Sequence, residues 1–267
     1  MLYNALNAEI NLGGNQMEYI RFGTGKRVLV MLPGLGDSLR SIKGMALPMA
    51  VMYRNFARDF TVYVFARKGG LPEGYTTRNM ARDQAEAMEK LGIGKADVFG
   101  VSMGGMIAQY LAIDYPEKVS KLVLAVTSSR PNPTLAESVE EWIALARSGN
   151  HTAFMESNLR RIYSGAYYRR NKWMVPILGK LTKPKTYASF FVQADACLTH
   201  NAFGDLGSIT VPTLVIGGGK DMTLGGEASR EIAAAIPGAR LQMYPQWGHG
   251  LYEEAKDYNS VVLDFLA

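Results

Sequence analysis

The sequence predicts an α/β fold, a mostly parallel sheet of eight strands with helices on both faces. Three observations predict it. Short runs rich in Val, Ile and Leu alternate with longer helix-prone stretches from about residue 28 onward, the pattern of βα units feeding a parallel sheet. Two earlier segments, 3–12 and 15–22, read as an antiparallel hairpin turned at Gly13-Gly14-Asn15. The chain has 267 residues, 48% of them hydrophobic, enough to bury a large core within one α/β domain.

The elements follow in order. Val28-Leu29-Val30-Met31-Leu32 is a continuous apolar run, as expected of a strand buried on both faces. Further strands are expected near 61–66, 96–100, 121–126, 212–217 and 239–244. The last alternates apolar and polar residues through Ala239-Arg240-Leu241-Gln242-Met243-Tyr244. Helices are expected near 42–58, 78–91, 104–115, 225–235 and 253–266, the last one amphipathic.

One region breaks the alternation. No convincing strand lies between Val126 and Val211. The rigid connector Arg130-Pro131-Asn132-Pro133 opens it. Helix-like pieces follow near 134–148, 151–162, 165–175 and 185–198. The expected organisation is a core of residues 1–129 and 207–267, with a helical insertion of residues 130–206. A long insertion at a strand edge suits a lid.

Chemistry concentrates at Phe99-Gly100-Val101-Ser102-Met103-Gly104-Gly105. A serine between a short strand and an apolar helix, with glycine two before and two after, fits a strand–turn–helix elbow. Such a turn strains the serine backbone, so close neighbours must lack side chains. The helix start aims free N–H groups at any developing anion. A glycine-rich turn with a solvated serine is the plainer alternative.

A serine nucleophile needs a base, and the base an orienting acid. The chain has three histidines. His249 lies in Gln246-Trp247-Gly248-His249-Gly250, between the last strand and last helix. Its flanking glycines suit a mobile, solvent-reachable imidazole. His151 reads as a surface residue at a helix start, and His200 as a satisfied buried or capping histidine. Asp221 ends the run Leu214-Val215-Ile216-Gly217-Gly218-Gly219-Lys220 at a strand edge, where loop backbone can hold a carboxylate. It could equally cap the following helix. The glycine cluster is no phosphate loop, because Asp221 rather than Ser or Thr follows Lys220.

The order Ser102, Asp221, His249, each at the end of a strand, resembles the α/β-hydrolase superfamily from about Val28 to the C-terminus. The resemblance implies that the insertion after strand 6 is a helical cap over the active site. It also implies that the loop Pro33-Gly34-Leu35-Gly36 supplies one oxyanion N–H, from Leu35, and that Met103 supplies the second. The chain departs from the superfamily at Pro33, where His is common, and at Ala66-Arg67-Lys68-Gly69-Gly70, where many relatives carry Asp-Arg. Ser102 excludes the dehalogenase-type relatives, which need a carboxylate nucleophile. The expected activity is hydrolysis of a carboxylic ester or related small acyl compound. Carbon–carbon hydrolysis, acyl transfer, perhydrolysis and a non-turnover ligand receptor stay open on the same fold.

The insertion is the basic part of a chain with 29 basic and 24 acidic residues. Arg160, Arg161, Arg169, Arg170, Lys172, Lys180, Lys183 and Lys185 face Glu156 as the single acid between residues 151 and 185. Interleaved aromatics give the footprint of nucleic-acid binding. A solvated outer face with aromatics packed inward is the preferred reading, so no nucleic acid is expected. An anionic substrate or contact with an acidic surface accounts for the remainder. Trp142, Tyr163, Trp173 and Phe191 are the expected pocket lining.

No metal or organic cofactor is expected, since no His, Cys or Asp cluster has ligand spacing. Cys197 is the single cysteine, which excludes an internal disulfide, fits a reducing cytoplasm and reads as core. No apolar run approaches the roughly eighteen residues of a membrane span. The start, Met1-Leu2-Tyr3-Asn4-Ala5, does not read as a secretory signal. The partner expected is a small acyl substrate, and the oligomeric state stays open.

Overall fold

The computed structural model describes residues 2–267, and Met1 lies outside them. It has eight strands, β1 Leu6–Leu12, β2 Asn15–Phe22, β3 Arg27–Leu32, β4 Phe60–Lys68, β5 Ala96–Val101, β6 Val119–Ala125, β7 Thr213–Gly218 and β8 Arg240–Tyr244. They form one sheet in the order β1-β2-β4-β3-β5-β6-β7-β8. β1, β2 and β4 pair antiparallel, and the rest pair parallel.

Strand periodicity splits the core in two. Along β3, Val30 and Leu32 join one apolar cluster while Leu29 and Met31 join the other. Along β6, Leu122 and Leu124 face the first cluster, and Val123 and Ala125 the second. Both faces of a parallel strand are covered, hence the unbroken apolar runs.

Helices α1 Ala46–Met52, α2 Thr77–Lys90 and α3 Met103–Asp114 lie among the early strands. Thr76 starts α2 with a reciprocal capping box to Asn79. Between β6 and β7 run α4 Pro133–Arg147, α5 His151–Ile162, α6 Gly165–Asn171, α7 Val175–Leu181 and α8 Ala188–Thr199. Asn132 caps α4, with Pro133 in the first turn, where its missing N–H costs nothing. Leu135, Trp142, Phe154 and Phe190 of this segment belong to the same apolar cluster as Leu32 and Met103. The helices therefore share the core beside the elbow. α9 Glu227–Ala235, α10 Leu251–Glu254 and α11 Tyr258–Leu266 complete the chain.

Three expectations on helix extent change. The helix expected over 42–58 covers only 46–52, because the following turns carry Ala57 to Gly23 and Thr24, where its carbonyl accepts the Thr24 N–H. The last helix is broken at Ala255, which is extended and buried. The helix expected over 165–175 ends at Asn171, and α7 was not expected. Pro176 sits in the first turn of α7, where its missing N–H costs nothing.

Candidate active site

Ser102 lies between β5 and α3 with φ 54° and ψ −122°. This is a strained conformation for a residue with a side chain. Backbone bonds hold it there. Its N–H donates to the Ala125 carbonyl at 2.9 Å, and its carbonyl accepts from Gly105 and Met106 N–H. The Thr127 hydroxyl also donates to that carbonyl at 2.7 Å. Thr127 sits just past β6 and carries no sequence motif. Only the pairing of β5 with β6 brings it to the elbow.

Asp221 follows β7, and His249 follows β8. His249 Nδ1 and Asp221 Oδ2 are 2.8 Å apart, with both side chains almost fully buried. The other carboxylate oxygen, Oδ1, accepts the N–H groups of Thr223 and Leu224 at 2.8 and 2.9 Å. Asp221 therefore folds its own loop and orients the imidazole. It does not cap the next helix, which starts later, after Gly226. The expectation of a solvent-reachable His249 is corrected: it is 3% exposed. Packing over its glycines closes it in. A Cβ on Gly250 would lie 2.6 Å from the Tyr163 ring, and the Gly250 N–H donates to the Ile162 carbonyl at 2.6 Å.

Ser102 and His249 line one cavity of about 300 Å³ with Gly34, Leu35, Trp142 and Phe190. A Cβ on Gly34 would lie 3.3 Å from Ser102 Cβ, so the loop after β3 passes directly against the serine. Met103 opens α3, and Leu35 opens a short 3-10 turn. The N–H of a first helical residue has no intrahelical acceptor. The loop is braced where the sequence departs from its relatives. Arg67 Nη2 donates to the Pro33 carbonyl, and the Arg67 N–H donates to Asp37 Oδ2 at 3.1 Å. Burial pushes the Asp37 carboxyl up and the Arg67 guanidinium down, and each charge offsets part of the other's shift.

Of the expected lining residues, Trp142 faces the first cavity, and Tyr163 faces a second of about 600 Å³. Phe154, Asn158 and Ile162 line both, so α5 forms a shared wall. Trp173 and Phe191 line neither. Trp173 is 66% exposed. Phe191 is half-buried, with the Arg147 guanidinium over its ring, and the neighbouring Phe190 is buried and points to the cavity. Composition locates a helix but not its rotation, and the packing of α8 places Phe190 rather than Phe191 on the cavity.

The α4–α8 segment grips both loops. Arg161 Nε donates to Glu141 Oε2 at 2.6 Å, Nη1 donates to Ser138 Oγ at 3.1 Å, and its carbonyl accepts from Thr223 Oγ1. Ser164 donates through N–H and Oγ to Glu254.

The other histidines are structural. His151, expected at the surface, is buried between Tyr187 Oη and Thr182 Oγ1. His200 is buried, with Nδ1 2.8 Å from Thr77 Oγ1, and burial lowers it to about 3. A histidine depressed in the folded state binds its proton more readily unfolded, so its stability contribution is present above the ordinary value of about 6.5 and lost as pH falls toward about 3. One such proton gives a slope of at most about 1.4 kcal/mol per pH unit. Urea melts of wild type and His200→Gln between these limits are expected to give a shallower loss in the variant. Equal slopes would contradict this. Cys197 is buried as expected, its thiol pushed up to about 12 by burial.

A parallel sheet carrying a strained serine elbow, with a bonded His–Asp pair on the loops after β7 and β8, is the arrangement of the α/β-hydrolase fold. The chain belongs to that family, whose model matches residues 27–256. It is similar to a 2-hydroxy-6-oxononadienedioate/2-hydroxy-6-oxononatrienedioate hydrolase from a Pseudomonas species, 28% identical over 92% of this chain and 89% of that one. A Mycobacterium tuberculosis protein with the provisional name non-heme bromoperoxidase is 31% identical over 73% of this chain and 77% of its own. Among solved structures, the α/β hydrolase MGS-M2 from a Medee basin deep-sea metagenome library superposes with a TM-score of 0.87, covering 97% of each chain at 24% identity.

Proposed function

We propose that this protein is a serine hydrolase of neutral carboxylic esters with an extended apolar group. The observation that carries the reading is the bonded His249–Asp221 pair whose imidazole shares a cavity with Ser102. Ser102 Oγ attacks the ester carbonyl while His249 Nε2 takes its proton. Asp221 holds the tautomer and stabilises the imidazolium. The N–H groups of Leu35 and Met103 receive the oxyanion, each worth roughly 3–4 kcal/mol in comparable sites. His249 then protonates the leaving alcohol and activates the water that releases the acyl-enzyme. The α4–α8 segment, residues 130–206 with its connectors, acts as the lid.

The lining supports a neutral substrate. Around Ser102 the ionisable side chains are Asp37, Tyr53, His249 and Tyr252, with no Lys or Arg among them. The second cavity gives room for a long acyl or alcohol group along α5, with Met155, Leu159, Met174 and Leu178 among its walls. The relative named as a dienedioate hydrolase raises carbon–carbon hydrolysis as a second reading. Arg40, on the second cavity, is the cation placed to meet a distal carboxylate in that case.

A series of p-nitrophenyl esters from acetate to laurate tests the substrate class. kcat/KM is expected to rise with chain length, and Trp142→Phe, which widens the first cavity, to move the optimum to longer chains. A flat or falling series, or a single turnover without steady state, would overturn the reading. Turnover of a vinylogous dioic diketone that Arg40→Ala abolishes, with neutral-ester turnover unchanged, would favour the second.

A further inference from the structure

Helix α7 and the 3-10 turn before it present a face that the hydrolytic site does not use. Trp173, Ile177 and Leu181 repeat at four-residue spacing, which places them along one stripe of a helix. They are 66%, 51% and 77% exposed. Among the described residues, nine large apolar side chains are exposed, and a third of them fall in these nine positions. Met174, Val175, Leu178 and Thr182, interleaved with them, line the second cavity instead. One stretch of helix thus walls the cavity with one side and offers a bare apolar stripe on another.

The surroundings of the stripe are cationic. Arg169, Arg170, Lys172, Lys180, Lys183 and Lys185 are all exposed, and no Asp or Glu occurs from Ser157 to Ala194. A Trp/Ile/Leu stripe rimmed by Lys and Arg has the composition of an element that lies in a bilayer interface and is drawn to anionic headgroups. A nucleic-acid face would need cations with stacking rings, and would gain nothing from exposed Ile177 and Leu181. Among the described residues, no helix is long and apolar enough to cross a membrane.

We propose that residues 169–185 dock this protein reversibly on an anionic lipid surface, with Trp173, Ile177 and Leu181 inserted among the acyl chains and the six cations on the headgroups. Docking sets the wall of the second cavity against the bilayer, the phase into which a long-chain ester partitions. The surface does not depend on the hydrolytic reading, because binding is measured without turnover.

The test is co-sedimentation of the intact protein with vesicles of phosphatidylcholine alone and of equimolar phosphatidylcholine and phosphatidylglycerol. Six cations near the surface make a preference of at least about tenfold for the anionic vesicles the expected result. That preference should shrink severalfold in about 0.5 M NaCl, where the screening length falls to a few ångströms. The variant Trp173→Ser, Ile177→Ser, Leu181→Ser should lose about tenfold in binding to anionic vesicles, with its melting temperature and acetate-ester turnover unchanged. Lys180→Glu, Lys183→Glu should lose the anionic preference. No vesicle binding, equal binding to both compositions, or a triple-serine variant that binds like wild type would overturn the proposal. So would a concentration-dependent dimer that the triple-serine variant dissociates, since the stripe would then be covered by a second copy. Duplex DNA binding that resists the triple-serine substitution but not the lysine reversals would also overturn it, assigning the cations to nucleic acid.

Discussion

Treatment with a fluorophosphonate is expected to add one label, on the peptide containing Ser102, with activity lost in step. Phosphorus takes the place of the ester carbonyl, so Ser102 Oγ displaces fluoride only if a neighbouring base accepts its proton. Ser102→Ala should abolish labelling. His249→Ala should lower kcat by about four to six orders of magnitude, since members of a triad act as a unit. Asp221→Asn should also be severe, because an amide facing Nδ1 favours the wrong tautomer. His249→Ala should stay folded: the imidazole bonds to Asp221, and Asp221 keeps its bonds to Thr223 and Leu224 N–H. Label on Cys197, or label persisting in Ser102→Ala, would remove Ser102 from its role. Equal loss of activity in folded His200→Ala would remove His249.

The second large effect is on stability. Gly104 sits in the first turn of α3, where the helix crosses the end of β3 at backbone contact. A Cβ there would lie 1.9 Å from the Leu32 carbonyl oxygen and 2.7 Å from that of Pro33. Neither is a flexible side-chain end, so α3 or the loop carrying Leu35 must shift. Gly104→Ala is expected to cost at least about 3 kcal/mol, the upper range for overpacking. For a chain of this size that lowers Tm by roughly 6–12 °C. Turnover should fall further than stability alone explains, because the displaced loop holds the Leu35 N–H. Gly94→Ala is the control, with nothing within 4 Å of the added methyl. Differential scanning calorimetry checks both. A Gly104→Ala melt within a degree or two of wild type would mean that the close approach is not real.

Much of this architecture is written locally. Apolar runs such as 28–32 and 121–126 can bury two faces only inside a covered parallel sheet. The Gly13-Gly14 turn forces the first two strands into a hairpin. Glycines two before and two after Ser102 mark the elbow, because the close contacts of such a turn exclude side chains. Asp221 and His249 were legible for a related reason: a parallel sheet gathers the ends of its strands on one edge, so polar residues just after consecutive strands become neighbours.

What the sequence could not settle depends on contacts between segments far apart in the chain. Thr127 reaches the Ser102 carbonyl only because β6 pairs beside β5. Arg67 braces the loop at Pro33 from the neighbouring strand β4. The burial of His151 and His249 follows from helices folding over them. A flanking glycine records only that backbone needs room, not whether solvent or Tyr163 fills it. The rotation of each helix in the α4–α8 segment is decided the same way. Phe190 and Phe191 are equally apolar, and the packing of α8 chooses between them. Trp173 reads as pocket lining by composition and lies at the surface because the 3-10 turn that carries it and α7 turn another side to the cavity. The sequence by itself determined the strands, the sheet they form and the three residues brought to its edge. Tertiary structure decided what surrounds them, because burial and helix rotation depend on partners that no local pattern encodes.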